Sequence, residues 1–417
     1  MTNSKKLRLN VTHGLKLIVV ILVLACCGYA HSPVRSAPPP TRDWTRYPAV
    51  VEVNNPPGDI FAVSDLHGHV MGLTRILIGA GLLKYDSSVK ENGGWVWIGG
   101  NAVLVVVGDS IDKKYPPNPN GSLAVIGILR GLQALAAREG GQVIVTMGNH
   151  EAEFLSKKDK FKDKTASFRN ELTAASRTNP DLNPDRVANC QGDLGQWLCQ
   201  LPVAARVGEW FFAHAGYTAN RNIPQINSDI AADFALNGFK AEQLVGDQSI
   251  LEAGLDDKGP KGSDGKGLPW VFNGNKNTNP EDTLKQFTRT LGVRHIVQGH
   301  KPGKVDFKNG LKREKGEMFQ AYGLLFLIDG DMNTVDKADS GDDDNYGAAL
   351  RIQVEMHAIG GGATITIPPN PNPTPEPTPE PLCITVTTQA TAIKKGGSQK
   401  ELWIGTERKT ASGEPCQ

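Results

Sequence analysis

Short, mostly apolar runs separated by glycines and by stretches of helical spacing fill the chain from residue 59 onward. Apolar runs bounded by turn residues predict strands that are buried on both faces. Such runs occupy residues 60–63, 103–107, 143–147, 210–213, 295–298 and 324–328. Residues 70–83 and 123–138 instead have apolar side chains at helical spacing, and Gly140 and Gly141 end the second helix. Strands that alternate with helices predict an α/β layered fold.

Residues 1–30 form a separate segment with its own pattern. Basic residues such as Lys5 and Arg8 precede the almost entirely apolar residues 17–27, and small residues occur within residues 28–30. This order is that of a secretory signal, and the apolar run is too short to span a bilayer comfortably.

Residues 23–26 also resemble a lipobox, in which Cys26 would become a lipidated first residue. Plain cleavage that discards Cys26 is the favoured alternative, because the adjacent Cys27 makes the lipobox irregular. Both interpretations predict an exported protein. It would be periplasmic or extracellular, and a lipid on Cys26 would be its only attachment to a membrane.

Prolines mark both ends of the main domain. The proline-rich residues 31–57 predict an extended tether, and residues 58–358 predict the domain itself. Residues 359–381 predict a stiff polyproline II linker, which separates the domain from a small β segment at residues 382–417. No candidate chemistry lies in that tail, so we expect it to be separable from catalysis, with a partner that the sequence does not identify.

Charge and cysteine content narrow the class of protein. The formal net charge is +1 and no basic run with interleaved aromatic residues is present, so nucleic acid is not a predicted partner. Beyond the signal, Cys190, Cys199, Cys383 and Cys416 form an even set, for which disulfides are the default expectation in an exported chain. A Cys190–Cys199 bridge would be local and a Cys383–Cys416 bridge would constrain the tail, although sequence cannot prove either pairing.

Five short polar motifs each follow a predicted strand, which is where ligand sites collect in α/β sheets. They are Ser64-Asp65-Leu66-His67-Gly68, Gly108-Asp109-Ser110-Ile111-Asp112, Gly148-Asn149-His150-Glu151, His214-Ala215-Gly216 and Gly299-His300-Lys301. Taken singly, an Asp, Asn or His after a strand is usually a turn, cap or loop residue. All five in this order, each at a strand end, favour one shared site instead.

Carboxylate, amide and imidazole groups together suit the hydrolysis of a phosphate ester. That reaction needs charge neutralisation, a nucleophile at neutral pH and a proton for the leaving group, and two metal ions supply the first two. Mixed ligands suit manganese, iron or zinc, whereas an all-oxygen set would suit magnesium. The motifs therefore predict a site for two divalent or trivalent ions that share one carboxylate.

The order D-x-H-G, G-D-x-x-D, G-N-H-E, H-A-G and G-H resembles the signature of the metallophosphoesterases. The G-N-H-E form is similar to that of the serine/threonine phosphoprotein phosphatases, and the H-A-G and G-H-K variants resemble the bacterial Shewanella-like branch. The resemblance covers residues 59–356 and excludes both ends. It implies a four-layer α/β/β/α sandwich with mixed sheets and with the site at one edge.

The resemblance also implies a role for each motif residue. His150 matches the general acid that protonates the leaving oxygen, and Asp112 matches the residue that holds its imidazole. The implied nucleophile is a hydroxide that bridges the metals, without a covalent enzyme intermediate. Asp109 matches the ligand that both ions share. The matched ligands are Asp65, His67 and Asp109 for the first metal and Asp109, Asn149, His214 and His300 for the second.

Two departures from the family pattern affect the substrate contact. The family has D-R-G after the second aspartate, where the arginine grips phosphate, but here Asp112 is followed by Lys113 and Lys114. The family's second phosphate-binding arginine is also absent from residues 270–273. We therefore expect Lys113 and Asn149 to contact the phosphate, with Lys113 acting as a point charge that lacks the arginine fork.

The leading hypothesis is a phosphomonoesterase that acts on phosphoproteins or small phosphate esters. A phosphodiesterase or a nucleotide pyrophosphohydrolase on the same fold is the chemical alternative, because a histidine acid serves either reaction. An inactive surface module that binds ligands through its tail is the alternative from another class. The intact set of predicted metal ligands argues against it.

Overall fold

The computed structural model describes residues 42–112, 121–254, 279–306, 311–332, 347–358, 383–394 and 396–410, all within one compact unit. The strands in these ranges are β1 (Val50–Val53), β2 (Ile60–Ser64), β3 (Leu83–Tyr85), β4 (Trp95–Trp97), β5 (Val103–Val107), β6 (Gln142–Thr146), β7 (Ala204–Val207), β8 (Trp210–Ala213), β9 (His295–Gln298), β10 (Val305–Asp306), β11 (Lys312–Arg313), β12 (Phe319–Ala321), β13 (Leu325–Leu327), β14 (Ala348–Ala358), β15 (Cys383–Lys394) and β16 (Gln399–Thr410). The α-helices are α1 (Val70–Gly79), α2 (Gly121–Arg138), α3 (Asn149–Ser156), α4 (Ala166–Ala175), α5 (Pro184–Ala188), α6 (Gly192–Gln200), α7 (Ile223–Asn237), α8 (Glu242–Val245) and α9 (Pro280–Leu291).

Two mixed sheets pack face to face. The first has the strand order β1-β7-β8-β9-β13-β12 and the second has the order β16-β15-β14-β2-β5-β6. Val103 and Val105 of β5 share a core with Phe212 of the first sheet, whereas Leu104 and Val106 join a different core together with helical residues. Because both faces of β5 are covered, its sequence is apolar throughout. The arrangement is the α/β/β/α sandwich that the family resemblance implies.

Glycines in left-handed conformations follow the first two helices. α2 ends at Arg138 and Gly140 follows with φ +79°, close to the predicted end. α1 is shorter than predicted. It ends at Gly79 rather than near residue 83, because Gly81 (φ +71°) turns the chain and Leu83 enters β3.

Part of the predicted amino-terminal tether belongs to the domain. β1 pairs in parallel with β7, and Ala49 and Val50 are buried. The Arg42 guanidinium donates to the carbonyl oxygens of Cys199 (3.1 Å) and Leu201 (2.9 Å), and its burial lowers its pKa to about 10. The domain therefore includes Arg42 rather than beginning at residue 58. The sequence did not predict this, because a four-residue strand within a proline-rich stretch is hard to recognise.

The predicted tail segment is placed differently from the separable unit that we expected. β15 pairs with β14 along its whole length, and β16 pairs with β15, so both strands extend the second sheet. Ala390 and Ile393 are buried in the domain cores. Ring centroids of Trp403 lie 4.7 Å from His295 and 6.4 Å from Trp210 of the first sheet. The β pattern of the tail is thus correct, and its strands pair with a strand of the domain.

The sulfur atoms of Cys190 and Cys199 lie 2.08 Å apart, at the bonding distance that the predicted local disulfide requires. No helix in the described part of the chain is long and apolar enough to cross a membrane. Several predicted features lie outside the described residues and stay predictions. They are the signal with Cys26, the residues before Arg42, Lys113 and Lys114, the substitution at residues 270–273, the linker at 359–381 and the pairing with Cys416.

Candidate metal centre

The five motifs meet at one edge of the sandwich. β2, β5 and β6 are parallel neighbours in the second sheet, and β8 and β9 are parallel neighbours in the first, so their carboxyl ends lie together. The His300 N–H donates to both carboxylate oxygens of Asp65 (3.2 and 2.9 Å), which joins motifs 235 residues apart. His300 itself is half-buried. The buried residues of the predicted site are Asp65, His67, Asp109, Asp112, Asn149, His150 and His214.

The backbone at the site adopts a conformation that non-glycine residues rarely take. Left-handed φ angles occur at Asp65 (54°), His67 (43°), Asp109 (52°), Asp112 (61°) and His300 (75°). Such residues store strain, persist where the surrounding structure holds them, and cluster at functional sites. The concentration of this strain in the motif loops therefore supports a functional role for them.

Two motif glycines allow carboxylates to approach the neighbouring backbone. A Cβ atom at Gly148 would lie 2.1 Å from Asp109 Oδ1, and a Cβ atom at Gly299 would lie 2.3 Å from Asp65 Oδ2. Both separations are too short for real atoms, so any other residue would displace the carboxylate. The glycines of G-N-H-E and G-H-K are thus required by the position of the two carboxylates.

Backbone carbonyls orient two of the imidazoles. Nδ1 of His67 lies 3.3 Å from the Ile111 carbonyl oxygen, and Nδ1 of His214 lies 3.1 Å from the Val107 carbonyl oxygen. Because a carbonyl only accepts, each Nδ1 carries the donated proton, and Nε2 of the neutral ring offers a lone pair to the site. Metal-ligating histidines are held in this way in proteins.

Nε2 of His214 and three neighbouring atoms can each offer a lone pair, and they lie close together. Its Nε2 lies 3.0 Å from Asn149 Oδ1, 3.1 Å from Nδ1 of His300 and 3.3 Å from Asp109 Oδ2. A second proton on His214 would relieve this crowding. Burial opposes that proton, but the charge and hydrogen bond of Asp109, the charge of Asp65 and the hydrogen bond to Val107 together outweigh burial and raise the pKa of His214 to about 10. A metal ion in place of the proton would satisfy all four atoms, and the mixed nitrogen and oxygen donors fit manganese, iron or zinc.

Asp109 belongs to both candidate ion sites. Ligand atoms of His67, Asp109 and His150 lie within 4.8 Å of one another, and so do those of Asp65, Asp109 and His214. His67 Nε2 is also 3.9 Å from Asp65 Oδ1 and 3.8 Å from Asp109 Oδ2. Burial, together with the charge of Asp109, raises the pKa of Asp65 to about 6. Two buried carboxylates this close are stabilised by added positive charge. The residues therefore fit two ions that share Asp109.

Asp112 and His150 face each other beside this cluster. His150 Nδ1 lies 3.6 Å from Asp112 Oδ2, which is too long for a hydrogen bond but close enough for an ion pair. Neither atom has a hydrogen-bond partner among the described residues. The other Asp112 oxygen accepts from the Phe168 N–H (3.0 Å) in the first turn of α4. Burial lowers the pKa of His150, but Asp109 and Asp112 outweigh it and raise this pKa to about 9.

Glu151 is a member of the site to which the sequence analysis assigns no role. Its buried carboxylate accepts from the N–H groups of Gly148 (2.8 Å), Asp109 (3.1 Å), Ser110 (2.8 Å) and Ile111 (3.2 Å). It therefore ties the loop after β5 to the start of α3 and fixes the position of the shared aspartate. The only signal for it in the sequence is its place as the last residue of G-N-H-E.

Comparisons with known proteins identify the family. Residues 58–304 match the family described as calcineurin-like phosphoesterase. The chain is 30% identical over 163 residues to Shewanella-like protein phosphatase 1 of Plasmodium berghei (strain Anka), which covers 38% of this chain and 39% of that protein. It is 33% identical over 95 residues to Shewanella-like protein phosphatase 2 of Arabidopsis thaliana, which covers 23% and 21%. The alignments thus span less than half of either relative.

A solved structure shows the same fold. The cold-active protein-tyrosine phosphatase of the psychrophile Shewanella sp. superposes with a TM-score of 0.51 at 14% sequence identity, over 85% of this chain and 82% of that one. At this level of identity the similarity shows the fold alone. It confirms the predicted sandwich with two mixed sheets.

The family and the site agree in their chemistry. The predicted resemblance to metallophosphoesterases and to Shewanella-like phosphatases is confirmed. The family uses a dinuclear metal site, and the aspartates and histidines at this edge could hold one. The chain therefore belongs to the calcineurin-like phosphoesterase family.

Proposed function

We propose that this phosphoesterase is a two-metal phosphomonoesterase that acts on phosphoproteins or small phosphate esters. The supporting observation is the convergence of buried lone-pair donors on Asp109, which both candidate ion sites share. When bound, manganese, iron or zinc ions would neutralise phosphate charge and lower the pKa of a water molecule that attacks phosphorus. The proposed ligands are Asp65, His67 and Asp109 for one ion and Asp109, Asn149, His214 and His300 for the other. His150, which lies close to His67 and Asp109, is not a proposed ligand because it is the proposed acid.

His150 is the proposed general acid. With its pKa raised to about 9, the imidazole carries both ring protons at neutral pH. Its Nδ1 faces Asp112, while its Nε2 lies 3.8 Å from Asp109 Oδ2 and so is directed toward the candidate ion sites. Asp112 would hold the ring in this orientation while Nε2 donates its proton to the departing oxygen.

Asn149 and Lys113 are the proposed contacts to the phosphate. Asn149 is the first residue of α3, next to His150, and its amide lies at the candidate metal centre. Lys113 follows Asp112 directly in the chain, so a contact with a non-bridging phosphate oxygen would not require a long reach. A lysine there would supply a charge-assisted hydrogen bond without the two-pronged geometry of arginine.

The proposed location is outside the cytoplasm, in the periplasm or the extracellular space, with or without a lipid on Cys26. The disulfide between Cys190 and Cys199 supports this location, because disulfides persist in oxidising compartments. The predicted signal at residues 1–30 supports it as well.

A panel of substrates tests the proposed reaction. We expect the purified protein to hydrolyse p-nitrophenyl phosphate and phosphopeptides, with kcat/KM at least about tenfold higher than for bis(p-nitrophenyl) phosphate or dinucleotides, since a monoester dianion attracts two metal ions more strongly than a diester monoanion. Peptides that contain phosphoserine, phosphothreonine or phosphotyrosine would identify the preferred residue. A preference for the diester or the dinucleotide would replace this proposal with a phosphodiesterase or pyrophosphohydrolase.

A further inference from the structure

A fully buried glutamate near His150 is paired with a lysine at the surface. Glu153 lies three residues beyond His150 on α3, so both side chains project from neighbouring positions on the helix. The Glu153 side chain is 0% exposed, and its Oε1 accepts from Nζ of Lys164 at 2.6 Å. The Lys164 side chain is 51% exposed. Because a buried carboxylate is costly unless it is paired, this contact differs from an ordinary surface ion pair.

Glu252 completes a cluster with Glu153 and Lys164, which we call the Lys164 cluster. Burial and the neighbouring Glu153 carboxyl raise the pKa of Glu252 to about 7, and the charge of Lys164 acts in the opposite direction. Glu252 is therefore close enough to both residues to interact with them.

The Lys164 cluster is attached to two of the motif loops. On one side, Glu153 follows His150 within the same short helix. On the other side, Ile250, two residues before Glu252, is hydrogen-bonded to the chain after His214. There the Ala215 and Gly216 N–H groups donate to the carbonyl oxygen of Ile250 at 3.3 and 3.0 Å. The cluster is therefore anchored to both loops of the metal centre that supply His150 and His214.

The ammonium of Lys164 is charged and accessible. Burial lowers its pKa, but the Glu153 carboxylate outweighs burial and the net shift is upward, with Asp109 of the metal centre also contributing. An ammonium has three donors, and the half-exposed side chain leaves donors free beyond the one that Glu153 accepts. Because the side chain is already held in place, binding an anion costs it little conformational entropy.

We propose that Lys164 is a further substrate-binding residue, whose ammonium, positioned by Glu153, contacts the anionic group of a phosphate monoester beside His150. This inference rests on the proposed phosphomonoesterase function. Glu153 is a positioning residue in this scheme, since it acts through Lys164. The contact would add a fixed positive charge to the site independently of Lys113.

Steady-state kinetics with p-nitrophenyl phosphate test the role of Lys164. We expect Lys164→Ala to raise KM roughly ten- to hundredfold while kcat changes less than about threefold, because one charge-assisted contact to bound substrate is lost. Inhibition by inorganic phosphate should weaken by a similar factor. Lys164→Arg should restore most of the affinity. The effect on bis(p-nitrophenyl) phosphate, a monoanion, should be smaller.

A neighbouring lysine provides the matched control. Lys160 is exposed, and its Nζ lies 4.6 Å from the centroid of the Phe161 ring, the same ring that Lys164 Nζ approaches at 5.4 Å. Lys160→Ala removes the same charge and should leave KM unchanged. Because Lys164→Ala leaves Glu153 without its cation, the double variant Lys164→Met/Glu153→Gln removes both charges and should show the same rise in KM with its fold intact.

The outcomes separate this inference from the proposed function. If the wild-type protein hydrolyses p-nitrophenyl phosphate and both the single and the double variant keep its KM and its phosphate inhibition, Lys164 does not bind substrate and the inference fails alone. If Lys160→Ala raises KM as much as Lys164→Ala, the effect is one of general surface charge and the inference also fails. If the wild-type protein hydrolyses no phosphomonoester, the proposed function fails and the inference fails with it.

Discussion

His150→Ala is expected to lower kcat for a phosphomonoester by roughly two to four orders of magnitude, the usual contribution of a positioned general acid. The reason is local. The imidazole lies between Asp112 and Asp109, so the alanine variant lacks the ring whose Nε2 would give a proton to the departing oxygen. The loss should be largest for a poor leaving group such as a serine alkoxide and smaller for p-nitrophenolate.

The pH dependence of the wild-type enzyme gives a second readout for His150. Burial lowers its pKa, but the aspartates outweigh burial and raise it to about 9, so the acid form is lost as pH rises through that value. Cations held by Asp109 would offset part of the aspartate charge, so we expect the fall in kcat at or below about pH 9. His150→Ala should lack this fall. A variant with wild-type metal content and wild-type kcat would rule out the assignment of His150 as the acid.

Truncation after Ala358 is expected to abolish cooperative folding or to lower the melting temperature by more than about 10 °C. It removes β15 and β16, including the buried Ala390 and Ile393. Each large side chain that loses its burial accounts for about 1.5–3 kcal/mol, and a whole domain is stable by only about 5–15 kcal/mol. The effect should be mainly on stability, because the removed strands contain none of the motif residues.

Two adjacent residues on β16 provide a matched pair for this prediction. Trp403→Ala should destabilise the domain by roughly 3 kcal/mol, because its ring packs against His295 and Trp210. Ile404 is 53% exposed, so Ile404→Ala should cost about 1 kcal/mol or less. Thermal denaturation measures both. If the truncated protein instead keeps the wild-type melting temperature and turnover, the tail is separable, as the sequence alone suggested.

The strands and motifs of the catalytic edge could be predicted because their signals are local. β5 and β8 match their predicted limits, since each is an apolar run next to turn residues. β1 was not predicted, because four residues beside prolines give little pattern. The tail strands show a β pattern, but the sequence does not say that their partner is β14 across a proline-rich segment.

The site could be predicted as a set of residues but not as a set of contacts. The five motifs place Asp65 and His300 at strand ends, yet the hydrogen bond that joins them spans 235 residues. The role of Glu151 depends on four backbone N–H groups, whose positions no motif specifies. The sequence gives no signal for the Lys164 cluster, because its members are charged residues of common types. Their distinguishing feature is that the fold buries Glu153.

Metal content measured together with activity tests the central claim most directly. Elemental analysis of the purified protein should find about two manganese, iron or zinc ions per chain, and chelation should remove both the ions and the hydrolysis of p-nitrophenyl phosphate. Added manganese should restore activity. Asp109→Asn, which removes charge from both ion sites, should bind less metal and stay inactive after the same treatment. Full activity in a chelated preparation shown to be free of metal would contradict the two-metal account.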